Sequence, residues 1–541
     1  MIQNKHIFLI VLFLMLLSFS CNKPDDNLLS GDIKLSKLSD KTNYEAPLVL
    51  ENDVNGEVLI NNNAIVFDRG IYELSDAGFY TLKISGRKEI SFVLLDPERG
   101  ETEWGLKKWV PAPAQLSTNF DGEINILHPR QYVPGIPVPF LMQINNYEMH
   151  QMINLEATTK NGKSFLIKNG TGTTLSNFET SQSDAFVIAG KDYNIDIVPA
   201  TSRFDLEHNI SEMVEVPANS LVELKADLTI EPGGGIVFNE GVVLIIAKGV
   251  NIYNEGPVTF AGTANNPIMV SSNKAESLFG GFISEGENAS INASYTFFNS
   301  FAYHSGTGYQ YGHAKHQALF KASHTSLHFN NCVFTDSPGQ VFYPENCALQ
   351  IDLCVVQRVK TSGQINLSQL SITGSYFSDF PDDTQTYRDN DNDALYINAS
   401  DANIENSYFM YTKDDGIDSG GGEGGTIIIR NCLVEACFHE GFAFSSTEPA
   451  VKHHRIYNTT VRNCQQGLEL GFSSSNHDVV AENCTFANNY IGVRYGDNYD
   501  WGISGSIVLS NPIFENNYID TWNMVRQIWA PKTENMTVNH N

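Results

Sequence analysis

The C-terminal half of the chain repeats one motif, in which an asparagine precedes a small residue and a short β-forming run. The motif begins at Asn406, Asn431, Asn458, Asn483 and Asn511, which are 25, 27, 25 and 28 residues apart. One coil of a parallel β-helix needs a little over twenty residues, so we expect each repeat to form one coil. No segment here has helical periodicity, and the predicted fold class is all-β.

The repeated residues have a structural explanation. Asparagine tolerates the left-handed backbone of a turn, and its amide can hydrogen-bond to the equivalent amide of the next coil. The small residue that follows, such as Cys432 or Thr459, is expected to point into a narrow core. Seven cysteines follow Cys21 without a Cys-x-x-Cys pair, so we expect buried core thiols and no zinc site.

The β-helix is predicted to span residues 217–530. The runs LTIEPGGGIVF and GTANNPIMVSS, near its start, resemble the first coils of bacterial right-handed parallel β-helices. Residues 43–103 and 104–216 are rich in short β-forming runs. We expect one or two small β-sandwich-like domains there, either immunoglobulin-like or carbohydrate-binding. Residues 531–541 are expected to be a C-terminal tail.

The N-terminus predicts export and lipid anchoring. Lys5 and an apolar run over residues 7–17 are typical of a signal peptide, which we place at 1–20. Cys21 follows a small residue, and this resembles a lipobox with Cys21 as the lipidated residue. The polar tether at 21–42 begins with Lys23, Asp25 and Asp26, which resembles the surface-export signals of Bacteroidota lipoproteins. The resemblance implies an outer membrane lipoprotein that is exposed on the cell surface.

The charge of the chain excludes one class of partner. The formal net charge is −28, from 62 acidic and 34 basic residues. Nucleic acids require a basic footprint, so we expect no nucleic-acid partner. We expect a monomer.

A second register places carboxylates on the predicted coils. Gly416-Ile417-Asp418 recurs with the same spacing in the following coils, and side chains alternate along a strand, so the variable third position should face outward. The outward column is predicted to contain Tyr396, Asp418, Ala443, Glu469 and Arg494. The preceding turn adds two columns, which are Asp393, Asp415, Glu440 and Gln466, and Asn392, Asp414, His439 and Gln465.

The columns predict an acidic cluster. Stacked coils are about 4.8 Å apart, so Asp393, Asp414, Asp415 and Asp418 should lie close together. Carboxylates this close either bind a cation or take up protons. Hard oxygen ligands at this density favour Ca²⁺, and we predict these four residues, called the four aspartates below, as its ligands.

The same residues resemble a known enzyme family. Family-nine pectate lyases use an Asp-Asp-Gly-x-Asp run and an aspartate one coil earlier to hold Ca²⁺, and Asp414, Asp415, Asp418 and Asp393 match those positions. The resemblance implies cleavage of an acidic, uronic-acid-containing polysaccharide by β-elimination. The family's basic lysine corresponds to Ala443, so the base must come from another residue.

Several nearby residues are candidates for the chemistry. His439, Glu440, Lys413 and Lys452 are the predicted catalytic residues, because a lyase needs a base beside the acidic proton. We read residues 452–455 as a basic loop that reaches an anionic sugar. The predicted substrate-binding residues are His454, Arg455, Arg494 and Tyr396, the last as an aromatic surface for a sugar ring.

Two other functions use the same face. Residues 413–418 are similar to the Asn-Thr-Asp-Gly-Ile-Asp run of polygalacturonase-type hydrolases, which cleave with carboxylates and water. The long flat face of a solenoid also suits a non-catalytic glycan-binding or adhesive protein. The sequence predicts a lyase first, a hydrolase second and a binding protein third.

Overall fold

The computed structural model describes residues 29–40, 42–76, 78–95, 110–159, 162–178, 184–274, 277–302, 305–381, 392–420, 424–446, 451–473, 477–496, 504–525, 528–529 and 536–540. The predicted signal peptide and Cys21 lie outside these residues. In the described ranges the chain folds into β-strands and three short 3-10 helices, η1 (Leu35–Lys37), η2 (Met149–Gln151) and η3 (Thr307–Tyr309). No helix within those ranges is long and apolar enough to cross a membrane.

The N-terminal unit is a small β domain with its own core. Its strands are β1 (Leu29–Lys34), β2 (Thr42–Glu51), β3 (Val58–Ile60), β4 (Asn63–Ala64), β5 (Ile71–Leu74), β6 (Gly78–Ile84) and β7 (Ile90–Leu95). The sheet order is β1-β2-β7-β6-β3-β4, and β5 pairs with β2. Because β1 pairs in parallel with β2, the domain begins at Leu29, inside the predicted tether at 21–42.

A second small β domain follows. Its strands are β8 (Ile124–Leu127), β9 (Gln131–Tyr132), β10 (Val138–Ile144), β11 (Leu155–Thr159), β12 (Ser164–Ile167), β13 (Thr171–Ser176), β14 (Asp184–Ile188), β15 (Lys191–Ile195) and β16 (Val198–Pro199). They form sheets β13-β10-β8, β12-β11-β14-β15 and β16-β9. Their shared apolar core continues into the first coils of the solenoid through Leu221, Val243, Ile245 and Met269.

The rest of the chain is a parallel β-helix with three strands in each coil. We name the three stacks of equivalent strands ladder A, ladder B and ladder C. The strands of the first coils are β17 (Ser202–Arg203), β18 (Asn209–Ile210), β19 (Met213–Val216), β20 (Ser220–Leu224), β21 (Leu228–Ile230), β22 (Gly235–Asn239), β23 (Val243–Ile246), β24 (Ile252–Asn254), β25 (Pro257–Ala261), β26 (Ile268–Ser272), β27 (Phe282–Glu285) and β28 (Ser290–Ser294).

The middle coils contain two strands that pass from ladder A into ladder B. The strands are β29 (Thr296–Asn299), β30 (Ala318–Ser323), β31 (Ser326–Asn330), β32 (Val333–Glu345), β33 (Ala348–Asp352), β34 (Val355–Asn366), β35 (Gln369–Thr373), β36 (Tyr376–Phe380), β37 (Leu395–Asn398) and β38 (Asp401–Glu405). The two long strands are β32 and β34.

The last coils continue the three ladders. Their strands are β39 (Tyr408–Thr412), β40 (Ile417–Ser419), β41 (Thr426–Arg430), β42 (Leu433–Glu435), β43 (Glu440–Ser446), β44 (His453–Tyr457), β45 (Thr460–Arg462), β46 (Gln466–Ser473), β47 (His477–Glu482), β48 (Thr485–Ala487), β49 (Ile491–Tyr495), β50 (Gly505–Ser510), β51 (Ile513–Glu515), β52 (Ile519–Val525) and β54 (Met536–Asn539). The remaining strand, β53 (Ile528–Trp529), belongs to the N-terminal unit.

These ladders confirm the predicted parallel β-helix, which begins before residue 217 and continues beyond residue 530. Ladder A runs through β39, β42, β45 and β48, ladder B through β40, β43, β46 and β49, and ladder C through β41, β44, β47 and β50. The first coil begins at β17, before residue 217, since Ser202 and Arg203 already pair with the next coil. Strand β54 pairs with β50, so the predicted tail at 531–541 contributes to the last coil.

The asparagine repeats take the predicted conformation. Asn406, Asn431, Asn458, Asn483 and Asn511 all have φ between 48° and 53°. Their amides form a ladder along the solenoid, with Nδ2 of Asn431 donating to Oδ1 of Asn406 at 3.3 Å and Nδ2 of Asn511 donating to Oδ1 of Asn483 at 3.2 Å. The seven cysteines after Cys21 are free and buried, as predicted.

The second domain packs on ladder A through a buried ion pair. Nζ of Lys168 lies 2.5 Å from Oδ1 of Asp379, and both side chains are almost fully buried. Burial opposes the charge on Asp379, but Lys168 and the Gln357 amide hold its pKa below the usual value. Packing of this domain therefore depends on two charges that are buried together.

Removing one partner of this pair tests that dependence. Lys168→Met leaves the Asp379 carboxylate buried without its cation, so we expect a loss of about 3–5 kcal/mol in the free energy of unfolding at pH 7. Lys321→Met, at the more exposed pair with Glu285, is the control and should cost less than about 1 kcal/mol. Denaturant unfolding of both variants measures this, and equal losses would contradict the account.

Candidate functional site

The predicted outward column exists on ladder B. Tyr396 pairs with Asp418, Asp418 with Ala443, and Ala443 with Glu469, which in turn pairs with Arg494. A column of glycines lies at the start of these strands because the coils approach closely there. A Cβ at Gly416 would stand 2.5 Å from the Gly441 carbonyl oxygen. The register therefore puts the acidic turn next to Asp418.

The turn between ladders A and B carries a stack of carboxylates along the solenoid axis. The backbone N–H of Asp415 donates to Oδ1 of Asp393 at 3.2 Å, and the N–H of Glu440 donates to Oδ1 of Asp415 at 2.8 Å. The Gln466 amide then donates to Oε1 of Glu440. We call Asp393, Asp415 and Glu440 the carboxyl stack. Each carboxylate is fixed by the coil that follows it.

His439 sits against this stack. Its Nδ1 contacts Oε2 of Glu440 and lies 3.3 Å from Oδ1 of Asp415 and 3.5 Å from Oδ1 of Asp414. Burial disfavours the imidazolium, but Glu440 and the two aspartates outweigh it and raise the pKa of His439 well above its usual value. The side chain keeps 28% of its surface exposed, so the imidazole lies at the opening of an otherwise buried cluster.

The carboxylates hold protons more tightly than usual. Burial and the neighbouring aspartates raise the pKa of Asp393, and they do the same for Asp418. Burial and the Glu440 charge raise the pKa of Asp415 to about 7, against the opposite influence of His439. The pKa of Glu440 is also raised, mainly by burial. The site therefore contains several carboxyl groups that stay charged only if positive charge is supplied.

The donor set suits a cation. The ligand atoms of Asp414, Asp415 and His439 lie within 4.8 Å of one another. The charges of Asp414 and Asp415 raise the pKa of both Asp393 and Asp418, so all four carboxyl groups belong to the same acidic neighbourhood. Four carboxylate groups offer the hard oxygen ligands that Ca²⁺ prefers. Of the four aspartates, Asp414 and Asp415 belong to this tightest group, which contains the His439 nitrogen and neither Asp393 nor Asp418.

The two predicted catalytic lysines are buried. Lys413 is 1% exposed, and its Nζ lies 5.0 Å from the centre of the Phe438 ring. Lys452 is 2% exposed and close enough to Asp418 to oppose the rise in the pKa of that carboxyl. Both positions suit structural charges that stabilise the acidic turn, and neither ammonium lies at the opening beside His439.

The predicted basic loop is a strand. Residues 453–457 form β44 on ladder C, where side chains alternate between the core and the outer face. His454 therefore points inward, stacks on Phe444 with ring centres 3.9 Å apart and is completely buried. Arg455 points outward but pairs with Asp478. His454 is excluded from contact with a polysaccharide, and Arg455 lies on ladder C rather than at the acidic turn.

The other two predicted substrate-binding residues are also buried. Arg494 donates from Nη1 to Oε1 of Gln466 at 3.4 Å, and its guanidinium lies 5.2 Å from the centre of the Trp522 ring. Tyr396 lies beneath the ring of His313, 4.6 Å away. The outward column is thus covered at Tyr396 and at Arg494. Asp418 and Ala443, which lie between them, are partly exposed.

Sequence reasoning gave no role to Gln466 or Glu469. Gln466 links Glu440 to Arg494, and the negative charge of Glu469 contributes to the raised pKa of Glu440. Both occupy columns that the repeat predicts, directly after Glu440 and Ala443. Their positions in these columns and the polarity of their side chains could have identified them as site residues from the sequence.

The comparisons with known proteins bear on the fold. A family model described as a right handed beta helix region matches residues 366–541. This match covers the acidic turn and, with the three ladders, establishes the right-handed parallel β-helix. Searches of curated proteins and of solved structures return no match.

Because the pKa of Asp393 is raised, replacing it with a neutral residue should increase the free energy of unfolding, and the increase should depend on pH. The folded protein holds a proton on Asp393 that the unfolded chain releases at about pH 4. The aspartate therefore lowers the free energy of unfolding only above that pH, and the loss grows as pH rises. Asp393→Asn keeps the Oδ1 acceptor, and with chelator present it should stabilise the fold by about 1–3 kcal/mol at pH 8 and less at pH 5.

A matched aspartate provides the control for this measurement. The exposed Asp401 also accepts a backbone N–H from the next coil, that of Thr426 at 2.9 Å, outside the acidic cluster. Urea unfolding of Asp401→Asn should show little gain at either pH. A stability gain for Asp393→Asn that is equal at both pH values would refute the electrostatic explanation.

Proposed function

We propose that this protein is a surface-anchored enzyme that cleaves an acidic, uronic-acid-containing polysaccharide by Ca²⁺-assisted β-elimination at the acidic turn. One observation supports this most strongly. His439 is held through Nδ1 by Glu440 at the partly exposed opening of the carboxyl stack. A histidine fixed at one nitrogen by a carboxylate is oriented for proton transfer at the other.

The four aspartates supply the ligands for the cation. When bound there, Ca²⁺ would neutralise the carboxylate of a uronic acid and, by repelling the neighbouring imidazolium, favour loss of the extra proton from His439. Lys452, buried beside Asp418, opposes part of the rise in the pKa of that carboxyl and so favours its ionised form. Gln466 fixes the Glu440 carboxylate from the next coil.

His439 and Glu440 act on the proton. Neutral His439 keeps its Nδ1 proton and donates a hydrogen bond from it to Glu440. Its Nε2 is then the acceptor for the proton next to the uronate carboxyl. The electrons of that C–H bond form a carbon–carbon double bond as the glycosidic oxygen leaves with its bonding pair and takes up a proton from water. Glu440 is a positioning residue in this scheme, because it contacts His439 and not the substrate.

Hydrolysis is the second candidate, and the stacked carboxyls favour it specifically. Burial and repulsion from Glu440 bring the pKa of Asp415 to about 7. A carboxyl that keeps its proton near neutral pH, next to a second carboxylate, is the pairing that glycoside hydrolases use as acid and base. The sugar ring would then be attacked by water, and the product would carry a new reducing end without a double bond.

The anchoring part of the proposal rests on the N-terminal residues. A short apolar run followed by Cys21 would fix the protein to the outer membrane, with the β domains and the solenoid outside the cell. An enzyme in that position meets polysaccharides that are too large to enter. A non-catalytic adhesive protein is the remaining function for this face.

A product assay distinguishes the three functions. The purified mature protein is incubated with a panel of uronic-acid polysaccharides, with Ca²⁺ or with chelator. We expect ultraviolet absorbance from unsaturated uronate that depends on Ca²⁺. Reducing ends without this absorbance would support the hydrolase, and glycan retention with neither product would support the binding protein.

Variants of one residue type test the role of His439. His439→Asn should lower kcat at least 100-fold, because the general base is lost, with a smaller change in KM. His453→Asn is the matched control, since His453 is exposed on ladder C and pairs with Asp478 away from the turn. Equal activity of the two variants would remove His439 from the mechanism.

A further inference from the structure

A segment far from the acidic turn in sequence covers the outward face of ladder B. Residues 306–316, which we call the strap, contain the short helix η3 and a bridge between Tyr311 and His316. The strap lies along the column that leads toward Asp418 from the N-terminal side. That column contains Tyr253, Ile283, Lys321, Tyr343, Gln364 and Tyr396.

Aromatic contacts hold the strap to the column. The hydroxyl groups of Tyr253 and Tyr309 are 2.8 Å apart. The Tyr311 ring stacks on the ring of Tyr343, with centres 5.3 Å apart. The strap therefore follows the column from coil to coil.

Polar contacts fix the end of the strap nearest the acidic turn. The His313 N–H donates to Oε1 of Gln364 at 3.0 Å, and the His313 ring packs on Tyr396. Nζ of Lys360 donates to the carbonyl oxygen of Ala314 at 2.8 Å. Nε2 of Gln340 donates to the carbonyl oxygens of Tyr311 and His316, at 3.0 and 2.7 Å. Contacts of both kinds seat the strap directly on ladder B.

The strap changes the shape of the face next to the acidic turn. Gln364 and Tyr396, the last two column residues before Asp418, are buried, whereas Asp418 and Ala443 are partly exposed. Six column positions at about 4.8 Å each extend over roughly 24 Å of the solenoid, room for several sugar units on an open face. The opening instead begins at Asp418, directly beyond the His313 ring.

We infer that the strap closes the substrate groove on the N-terminal side of the acidic turn, so that the enzyme takes the end of a glycan chain and releases short products. This inference rests on the proposed function. Cleavage within a chain needs sugar units bound on both sides of the broken bond. The strap occupies one of those sides, so only a terminal unit fits between His313 and the acidic turn.

The product pattern of the wild-type protein tests this first. We expect short oligosaccharides from the earliest times, while the remaining polymer stays long by size-exclusion chromatography. At equal mass of glycan, the initial rate should rise in proportion to the number of chain ends. Mid-sized products at early times, or a rate independent of chain ends, would overturn the inference and leave the proposed cleavage intact.

Opening the strap tests its role directly. Tyr311→Ala combined with His313→Ala removes the rings that pack on Tyr343 and Tyr396, and we expect a shift toward mid-sized products. Gln310→Ala, at an exposed strap position, should keep the wild-type pattern. A double variant that folds and still yields only short products would overturn the role of the strap. If no glycan is cleaved by any form, the proposed function fails and this inference fails with it.

Discussion

Each coil of the solenoid is hydrogen-bonded in register to the coil before it, and the position of every side chain at the site follows from this stacking. The asparagine ladder and the close glycine column leave little freedom for a slip between coils. Residues 22 or 25 positions apart, such as Asp393, Asp415 and Glu440, are thereby brought into one stack. A solenoid places like residues next to like residues, which is an efficient way to concentrate charge.

That concentration has an electrostatic cost. Buried carboxylates separated by one coil raise one another's pKa, and the fold offsets part of this with His439 and Lys452. A structural role alone would be served better by neutral groups, such as the Gln466 amide that occupies the same column. Retaining acidic groups in three successive coils is understandable if a cation or a transferable proton belongs there.

The repeat predicted most of the site, because the period of the strands assigns each residue to a column. Asp418, Ala443, Glu469 and Arg494 lie in the predicted order. The predictions were wrong where the sequence pattern does not indicate whether a side chain is buried. His454 looked like part of a basic loop, yet strand alternation turns it into the core. Arg494 faces away from the core, yet it is covered and bonded to Gln466.

The strap was beyond prediction for a different reason. The His313–Tyr396 contact joins residues 83 positions apart, and no repeat connects them. The buried pair of Lys168 and Asp379 is similar, because packing of the second domain on ladder A has no periodic signal. Long-range contacts of this kind depend on surface shape, which a repeat of 25 to 28 residues does not encode.

A crystal structure of Glu440→Gln with an acidic oligosaccharide bound would locate the substrate directly. We expect a uronate carboxylate at the acidic turn beside Asp415, with the end of the sugar chain against His313. An oligosaccharide seated on ladder C or on an N-terminal β domain, with the acidic turn free of sugar, would contradict the account.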